Sequence, residues 1–378
     1  MNFDLTDEQI LLRDLVRDFG QAVVKPQDAK MDENNEIDYQ ILEEMKKIGL
    51  WGLLGPTDQG GAGADSLSGV IVIEELAKAS GSIALTLDAH FLGLEGIAKF
   101  GTPEQKQAYL PDLCSGAKLG AFAWTEPCAG SDAGGIQTSA KQQDDKYLLN
   151  GVKCFVTNGG LAQTYLIGAV TGESEKGKEF SVFILDKSTP GLTIGQKENK
   201  MGMRGSHTTE LILQDVQVGS DQLLGKAGQG FKIAMEILNG GRLSIAALSV
   251  GTAQAALKDS LNYAKERQAF GKPLAKQQAV QFMLANMDTN IQAARLLTYQ
   301  AAQLSSQGKP YFKQAAQAKI FASEMAMRVC KDAIQIHGGY GYTKDFAVER
   351  YFRNAKLNEI GEGASEVLRM LVARSMLS

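Results

Sequence analysis

Tyr147-Leu148-Leu149-Asn150-Gly151-Val152-Lys153-Cys154-Phe155-Val156 is the stretch that decides the fold class. Residues that favour extended backbone flank Asn150-Gly151, a pair that suits the two positive-φ positions of a type I′ turn. The spacing predicts a β-hairpin. Short runs of the same character follow at Tyr165 to Val170, Phe180 to Leu185, Leu192 to Ile194 and Glu210 to Val218. No helix-length periodic segment separates them, so this zone is a β-barrel or sandwich and not a βαβ unit.

On both sides the period changes. Leu11, Leu12, Leu15, Val16 and Phe19 fall on one face of a helix, and Thr6 with Gln9 forms a capping box at its start. Val70, Ile71, Ile73 and Leu76 continue the helical pattern after a glycine-rich loop from Gln59 to Asp65. Beyond Gly230, Val280, Leu284, Met287, Ile291 and Ala294 step by four and three, the seam of a helix in a bundle. The turn Phe270-Gly271-Lys272-Pro273 separates that helix from the one before it. The order predicts an α+β chain of three domains. These are an N-terminal helical domain (1–117), a middle β-barrel or sandwich (118–225) and a C-terminal four-helix bundle (226–378).

Composition narrows the function. With 44% hydrophobic and 22% charged residues, the 378-residue chain has the make-up of a soluble globular protein. A net charge of -4 provides no basic footprint for nucleic acid. The four cysteines (Cys114, Cys128, Cys154, Cys330) form no C-x-x-C pair, and there are three histidines, so no metal site is expected. No run approaches a membrane span of about 18 apolar residues. With no basic leader or apolar signal core, the expected location is cytoplasmic.

The chemistry concentrates in three places. Glu362 stands between Gly361 and Gly363, just before an apolar C-terminal helix. A carboxylate shielded from water there has a raised pKa and becomes a stronger base for a carbon acid; read alone, it is an exposed loop glutamate. Ala121 to Asp132 and Lys153 to Gly159 each set an aromatic residue beside threonine at a strand end. That is chemistry suited to covering a flat heteroaromatic ring such as a flavin; read alone, either is a strand edge and turn. No G-x-G-x-x-G and no Walker lysine loop is present.

Together these stretches resemble the acyl-CoA dehydrogenase family over essentially the whole chain. Thr125-Glu126-Pro127-Cys128-Ala129-Gly130-Ser131-Asp132 is similar to one family signature. Glu266-Arg267-Gln268-Ala269-Phe270-Gly271-Lys272-Pro273 and Gln335-Ile336-His337-Gly338-Gly339-Tyr340-Gly341-Tyr342 are similar to two more. The resemblance implies FAD as cofactor. It places Trp124, Thr125, Ser131 and the strand end Phe155, Val156 and Thr157 along the isoalloxazine ring. Arg267, Phe270 and Gln278 then reach the FAD of a neighbouring subunit, and Gln335, Ile336, His337, Gly338 and Gly339 take its adenosine diphosphate part. Ala364, Ser365 and Glu366 belong to the cofactor side of the last turn. Asn239 and Arg242 are expected on the coenzyme A moiety, with Ser131 and Gly363 also near substrate. Glu362 is the implied catalytic base, because the other family position for a base holds Gly241. A homotetramer, an acyl-CoA substrate and an electron-transferring flavoprotein as acceptor complete the expectation. A non-catalytic binding relative, an oxidase and an enoyl-CoA reductase are the competing readings.

Two departures bear on substrate. Gly361 and Ala364 stand where relatives often carry tyrosine and threonine. The pocket is then either wider, suiting a branched or alicyclic acyl group, or refilled by Phe91 or Leu92. Asp88 stands where the family's acyl pocket is small or apolar. It is either a second base or a contact for a polar substrate group, or it is an exposed or His90-paired aspartate.

Overall fold

A computed structural model describes residues 4–175 and 177–377. Six helices come first: α1 (Asp7–Phe19), α2 (Lys25–Asn34), α3 (Tyr39–Lys47), α4 (Ser66–Ala79), α5 (Gly81–Phe100) and α6 (Pro103–Ser115). The predicted capping box is present, with Gln9 N–H donating to Thr6 Oγ1 and Thr6 N–H to Gln9 Oε1. The predicted apolar face of α1 is only partly buried. Val16 and Phe19 enter the core, whereas Leu11 and Leu15 are exposed.

Strands follow: β1 (Gly120–Ala123), β2 (Ser139–Gln143), β3 (Lys146–Thr157), β4 (Thr164–Ser174), β5 (Gly177–Asp186), β6 (Leu192–Lys197), β7 (Thr208–Gly219) and β8 (Leu223–Leu224). They form one sheet in the order β6-β7-β3-β2-β4-β5-β8, with β1 parallel to β4. Residues along β4 and β5 alternate between two cores. Tyr165, Ile167, Phe183 and Leu185 join one, while Leu166, Phe180, Val182 and Ile184 join the other. Helices and loops cover both faces, which is why these strands read as nearly continuous apolar runs.

The Asn150-Gly151 hairpin is not formed. β3 runs unbroken through both residues, and the chain reverses instead at Asp144-Asp145, between β2 and β3. Asn-Gly marks a β-bulge, where the pairing of β3 with β7 shifts register between Leu149 and Gly151. The Asn150 side chain closes the bulge by bonding Asp215 through both its amide groups. Gly151 is required there, since a Cβ would lie 2.4 Å from Thr138 Oγ1 and 2.8 Å from Thr138 Cα.

Five helices end the described chain: α7 (Gly230–Glu266), α8 (Gln278–Ser306), α9 (Phe312–His337), α10 (Val348–Ile360) and α11 (Ser365–Leu377). On α8, Met287, Ile291 and Ala294 are fully buried, as their spacing predicts, and Val280 and Leu284 pack against the same core. By length and mean composition alone α7 would pass for a membrane span, although Arg242 and Lys258 interrupt its apolar stretch. Its apolarity has another cause, since 72% of that window is buried inside the protein against helices from both ends of the chain.

Candidate active site

Glu362 occupies the turn between α10 and α11. The turn bends sharply: Glu362 has φ +55° and Gly363 φ +102°. A glutamate in the left-handed region is uncommon and needs support from its surroundings. Two buried cations provide it. Lys319 of α9 donates to the Gly363 carbonyl at 2.7 Å. Arg242 of α7 reaches the Glu362 carbonyl at 3.4 Å and is itself fixed by Asn239 Oδ1 at 2.6 Å.

The turn delivers the Glu362 carboxyl to the flank of α7 at Gly241. A Cβ on Gly241 would stand 2.7 Å from Glu362 Oε2 and 3.1 Å from Leu92 Cδ2 of α5. The residue as a whole is half-buried, but Oε2 is out of contact with water and has no hydrogen-bond partner. Burial pushes the carboxyl up to about 7, with Arg242 and Lys319 pulling the other way. Among the described residues no acceptor engages the Glu362 backbone N–H. The result is a carboxyl held by its backbone and left free at its tip, poised to change protonation near neutral pH.

Asp88 of α5 is neither exposed nor paired with His90. It is 2% exposed, and its Oδ1 has no partner. His90 is committed elsewhere: its Nε2 meets the Trp51 carbonyl, and its Nδ1 accepts from Gly120 N–H, both at 3.0 Å. Burial, followed by the charge of Glu362, raises the Asp88 pKa well above the ordinary range; the Ser244 hydroxyl opposes the shift.

The two ring-covering stretches are stitched together by a buried ion pair. Lys153 of β3, fully buried, donates to Glu126 Oε1 at 2.7 Å and to the Trp124 carbonyl at 3.0 Å. Glu126 also accepts from the Gln137 and Thr138 N–H groups. Cys154 N–H donates to the Thr125 carbonyl at 2.9 Å. The ends of β1 and β3 are thereby locked side by side.

Their aromatic residues differ from expectation. The Trp124 indole is packed with Phe180 and Phe231, and its Nε1–H donates to the Ala133 carbonyl. A Cβ on Gly168 would lie 2.3 Å from that indole, so its face is covered. Val156 likewise turns its side chain into the core. What these two residues present to a ring is backbone. Phe155 does the opposite: at a register shift in β3 it takes φ +54° and stands 64% exposed. Thr125 and Thr157 are half-buried beside it and Ser131 is exposed.

The pyrophosphate candidates gather elsewhere. Arg267, Gln335, Ile336, His337, Gly338 and Gly339 line one cleft of about 590 Å³. Gly338 has φ +60° and ψ -137°, a conformation for glycine, and open space surrounds where a Cβ would stand on it or on Gly339. The backbone there can approach a phosphate closely, beside the Arg267 cation. The donor set therefore fits a dinucleotide diphosphate. Sequence reasoning missed Tyr263 and Tyr340, whose rings stack on His337 and under Arg267. Phe270 and Gln278 do not line this cleft; both are exposed, Phe270 at 94%.

Arg242 is also relocated. It is 3% exposed and braces the Glu362 turn, so it is not a free surface cation for coenzyme A. Asn239, 5% exposed, serves it as acceptor. Ser365 is buried with its hydroxyl unpartnered, whereas Ala364 is half-buried and Glu366 exposed. Lys319 was missed. Its signal was a lysine in register with Ala315, Ala322 and Ala326 on the buried face of α9.

Comparison with known proteins points the same way along the whole chain. Residues 6–117, 121–216 and 228–377 match the N-terminal, middle and C-terminal domains described for acyl-CoA dehydrogenases. A probable acyl-CoA dehydrogenase of Bacillus subtilis, YngJ, is 49% identical over 100% of both chains. The butyryl-CoA dehydrogenase structure from Megasphaera elsdenii superposes with a TM-score of 0.98, at 44% identity and 100% coverage of both chains. A chain from the electron transferring flavoprotein structure of Acidaminococcus fermentans gives a TM-score of 0.97, at 46% identity and 100% coverage of both.

Proposed function

The chain belongs to the acyl-CoA dehydrogenase family, and from that premise we propose that it dehydrogenates a short acyl-CoA between the α and β carbons, with Glu362 as base. It is an FAD-dependent oxidoreductase acting on CH–CH groups. FAD, when bound, supplies the two-electron acceptor for the hydride that leaves the β-carbon.

The observation that carries the reading is the free, shielded Oε2 of Glu362 against Gly241. An α-proton of a thioester is weakly acidic, so its removal needs a base stronger than an ordinary carboxylate. Desolvation provides that strength in Glu362. The unengaged Glu362 N–H offers a donor to the thioester oxygen, where negative charge develops as the α-proton leaves. Arg242 and Lys319 hold the turn so that the carboxyl and this N–H keep a fixed relation. Thr125, Ser131 and the Phe155–Thr157 strand end would hold the flavin ring. Arg267 with the glycines at 338 and 339 would hold the diphosphate.

The acyl group we infer is short, and branched or alicyclic. The nearest neighbours of a Cβ at Gly361 would be Leu357 atoms, at 3.6 Å and beyond, which supports an acyl pocket left open beside this glycine. Exposed apolar side chains on the C-terminal helices, among them Phe282, Leu296, Met370 and Met376, support association of copies, in our reading a homotetramer. An electron-transferring flavoprotein is the acceptor we propose.

Mixing the purified holoenzyme anaerobically with butyryl-CoA, isobutyryl-CoA and cyclohexanecarbonyl-CoA tests the reading. Loss of oxidised-flavin absorbance with at least one thioester is expected, fastest with the branched or cyclic one. Absence of bleaching with all three would overturn the activity, and bleaching by butyryl-CoA alone would overturn the wide pocket.

A further inference from the structure

Asp88 and Glu362 both stand against α7, about one turn apart along it. Leu92, one turn beyond Asp88 on α5, meets the Gly241 position where the Glu362 carboxyl rests. Ser244, whose hydroxyl favours the ionised form of Asp88, lies three residues beyond Gly241 on α7. Each carboxyl has one oxygen that is buried and without a partner, Asp88 Oδ1 and Glu362 Oε2. We propose that Asp88 and Glu362 hold a single proton between them in the resting enzyme, carried by Asp88, so that Glu362 is the ionised member and meets the substrate as a base.

The surroundings decide which partner keeps the proton. Glu362 is faced by two cations, Arg242 from α7 and Lys319 from α9, which favour its ionised form. Asp88 is faced by Glu362 and by Glu95 of its own helix, both of which disfavour ionisation, and by the neutral Ser244 of α7. Two ionised carboxylates in one dry pocket repel each other, so they titrate as a pair in two steps. In the first step Glu362 ionises while Asp88 stays neutral. In the second Asp88 ionises too and opposes the negative charge that develops on the substrate. Asp88 is thus a positioning residue for the charge of the base, and kcat/KM falls again at high pH.

The pair also defines a substrate class. Arg242 and Lys319 are held in place by the turn and by Asn239, so neither is free to swing toward an anion at the end of an acyl chain. An acyl chain ending in a carboxylate is excluded, and an uncharged acyl chain is accepted.

This inference rests on Glu362 being the base, but its first test does not depend on turnover. Holoenzyme grown with carboxyl-¹³C aspartate, compared with unlabelled holoenzyme by infrared difference at neutral pH, should show an isotope-shifted carboxylic-acid band. Asp88→Asn should remove that band and Glu362→Gln should leave it. If Asp88→Asn does not fold, Asp88→Leu is the second variant, with the same loss expected. Absence of an aspartic acid band, or its survival without Asp88, would overturn the proposal while leaving the role of Glu362 intact. In turnover, the high-pH fall of kcat/KM should vanish in Asp88→Asn. Succinyl-CoA should bleach the wild-type flavin at least about tenfold more slowly than butyryl-CoA. A retained fall, or equal rates, would contradict the pair.

Discussion

Gly241 and Glu362 share one small space: a methyl group on the glycine would sit 2.7 Å from the glutamate's Oε2. The two positions from which this family supplies a base therefore point at the same spot. Only one of them can carry a side chain here. Gly241→Ala should push the carboxyl off its station without removing it. Since misplacement by about 1 Å costs on the order of 100-fold, kcat should fall by about that factor, with flavin content unchanged. Single-turnover flavin reduction would measure it, and a wild-type rate would show that the carboxyl has room to spare.

Lys319 should set the pH at which the base works. A base must be ionised, so kcat/KM of the wild type should rise with pH through about 7 and fall below it. Lys319→Met removes a cation that favours ionised Glu362, so this acid limb should move to higher pH. The orphaned Gly363 carbonyl should also cost about 1–3 kcal/mol of stability. Lys319→Arg should restore part of both. A limb that stays in place would separate Lys319 from the base.

Lys153→Met should be among the most damaging changes outside the reacting centre. It strands the Glu126 carboxylate in the interior with two backbone donors and the weak Cys128 thiol. Breaking a buried ion pair from one side costs about 3–5 kcal/mol. Thermal unfolding of the holoenzyme should show that loss, together with weaker flavin retention, because the ends of β1 and β3 lose their clamp. A near-neutral change would mean that Glu126 takes up a proton without consequence.

Gly361→Leu should narrow the acyl pocket from the side left open beside Leu357. The ratio of rates for cyclohexanecarbonyl-CoA over butyryl-CoA should drop by about 10-fold or more, in line with single-methylene discrimination. An unchanged ratio would move the specificity elsewhere.

The layout of helices around a β module was legible because periods of 2 and 3.6 are written directly in the order of apolar residues. Asn150-Gly151 misled for a physical reason. A bulge and a type I′ turn both ask for a residue free of Cβ, and only the cross-strand partners Thr138 and Asp215 distinguish them. Leu11 and Leu15 had the right period for burial, but in the single chain nothing covers them. At the site, Glu362 was visible through its flanking glycines. The bracing by Arg242 and Lys319 was not, because their bonds to the turn span 120 and 44 residues of sequence and are made by helix packing. Trp124 shows the converse limit: its type suggested a ring cover, and the neighbouring Gly168 turned it inward.

The most direct test of the account is the rate of anaerobic flavin reduction by butyryl-CoA in Glu362→Gln beside the wild type, with both proteins carrying full flavin. Loss of the base should slow reduction by about 10²–10⁴-fold while thioester binding, followed by perturbation of the oxidised flavin spectrum, persists. Reduction at a rate close to wild type would contradict the assignment of Glu362 and move the base to another residue.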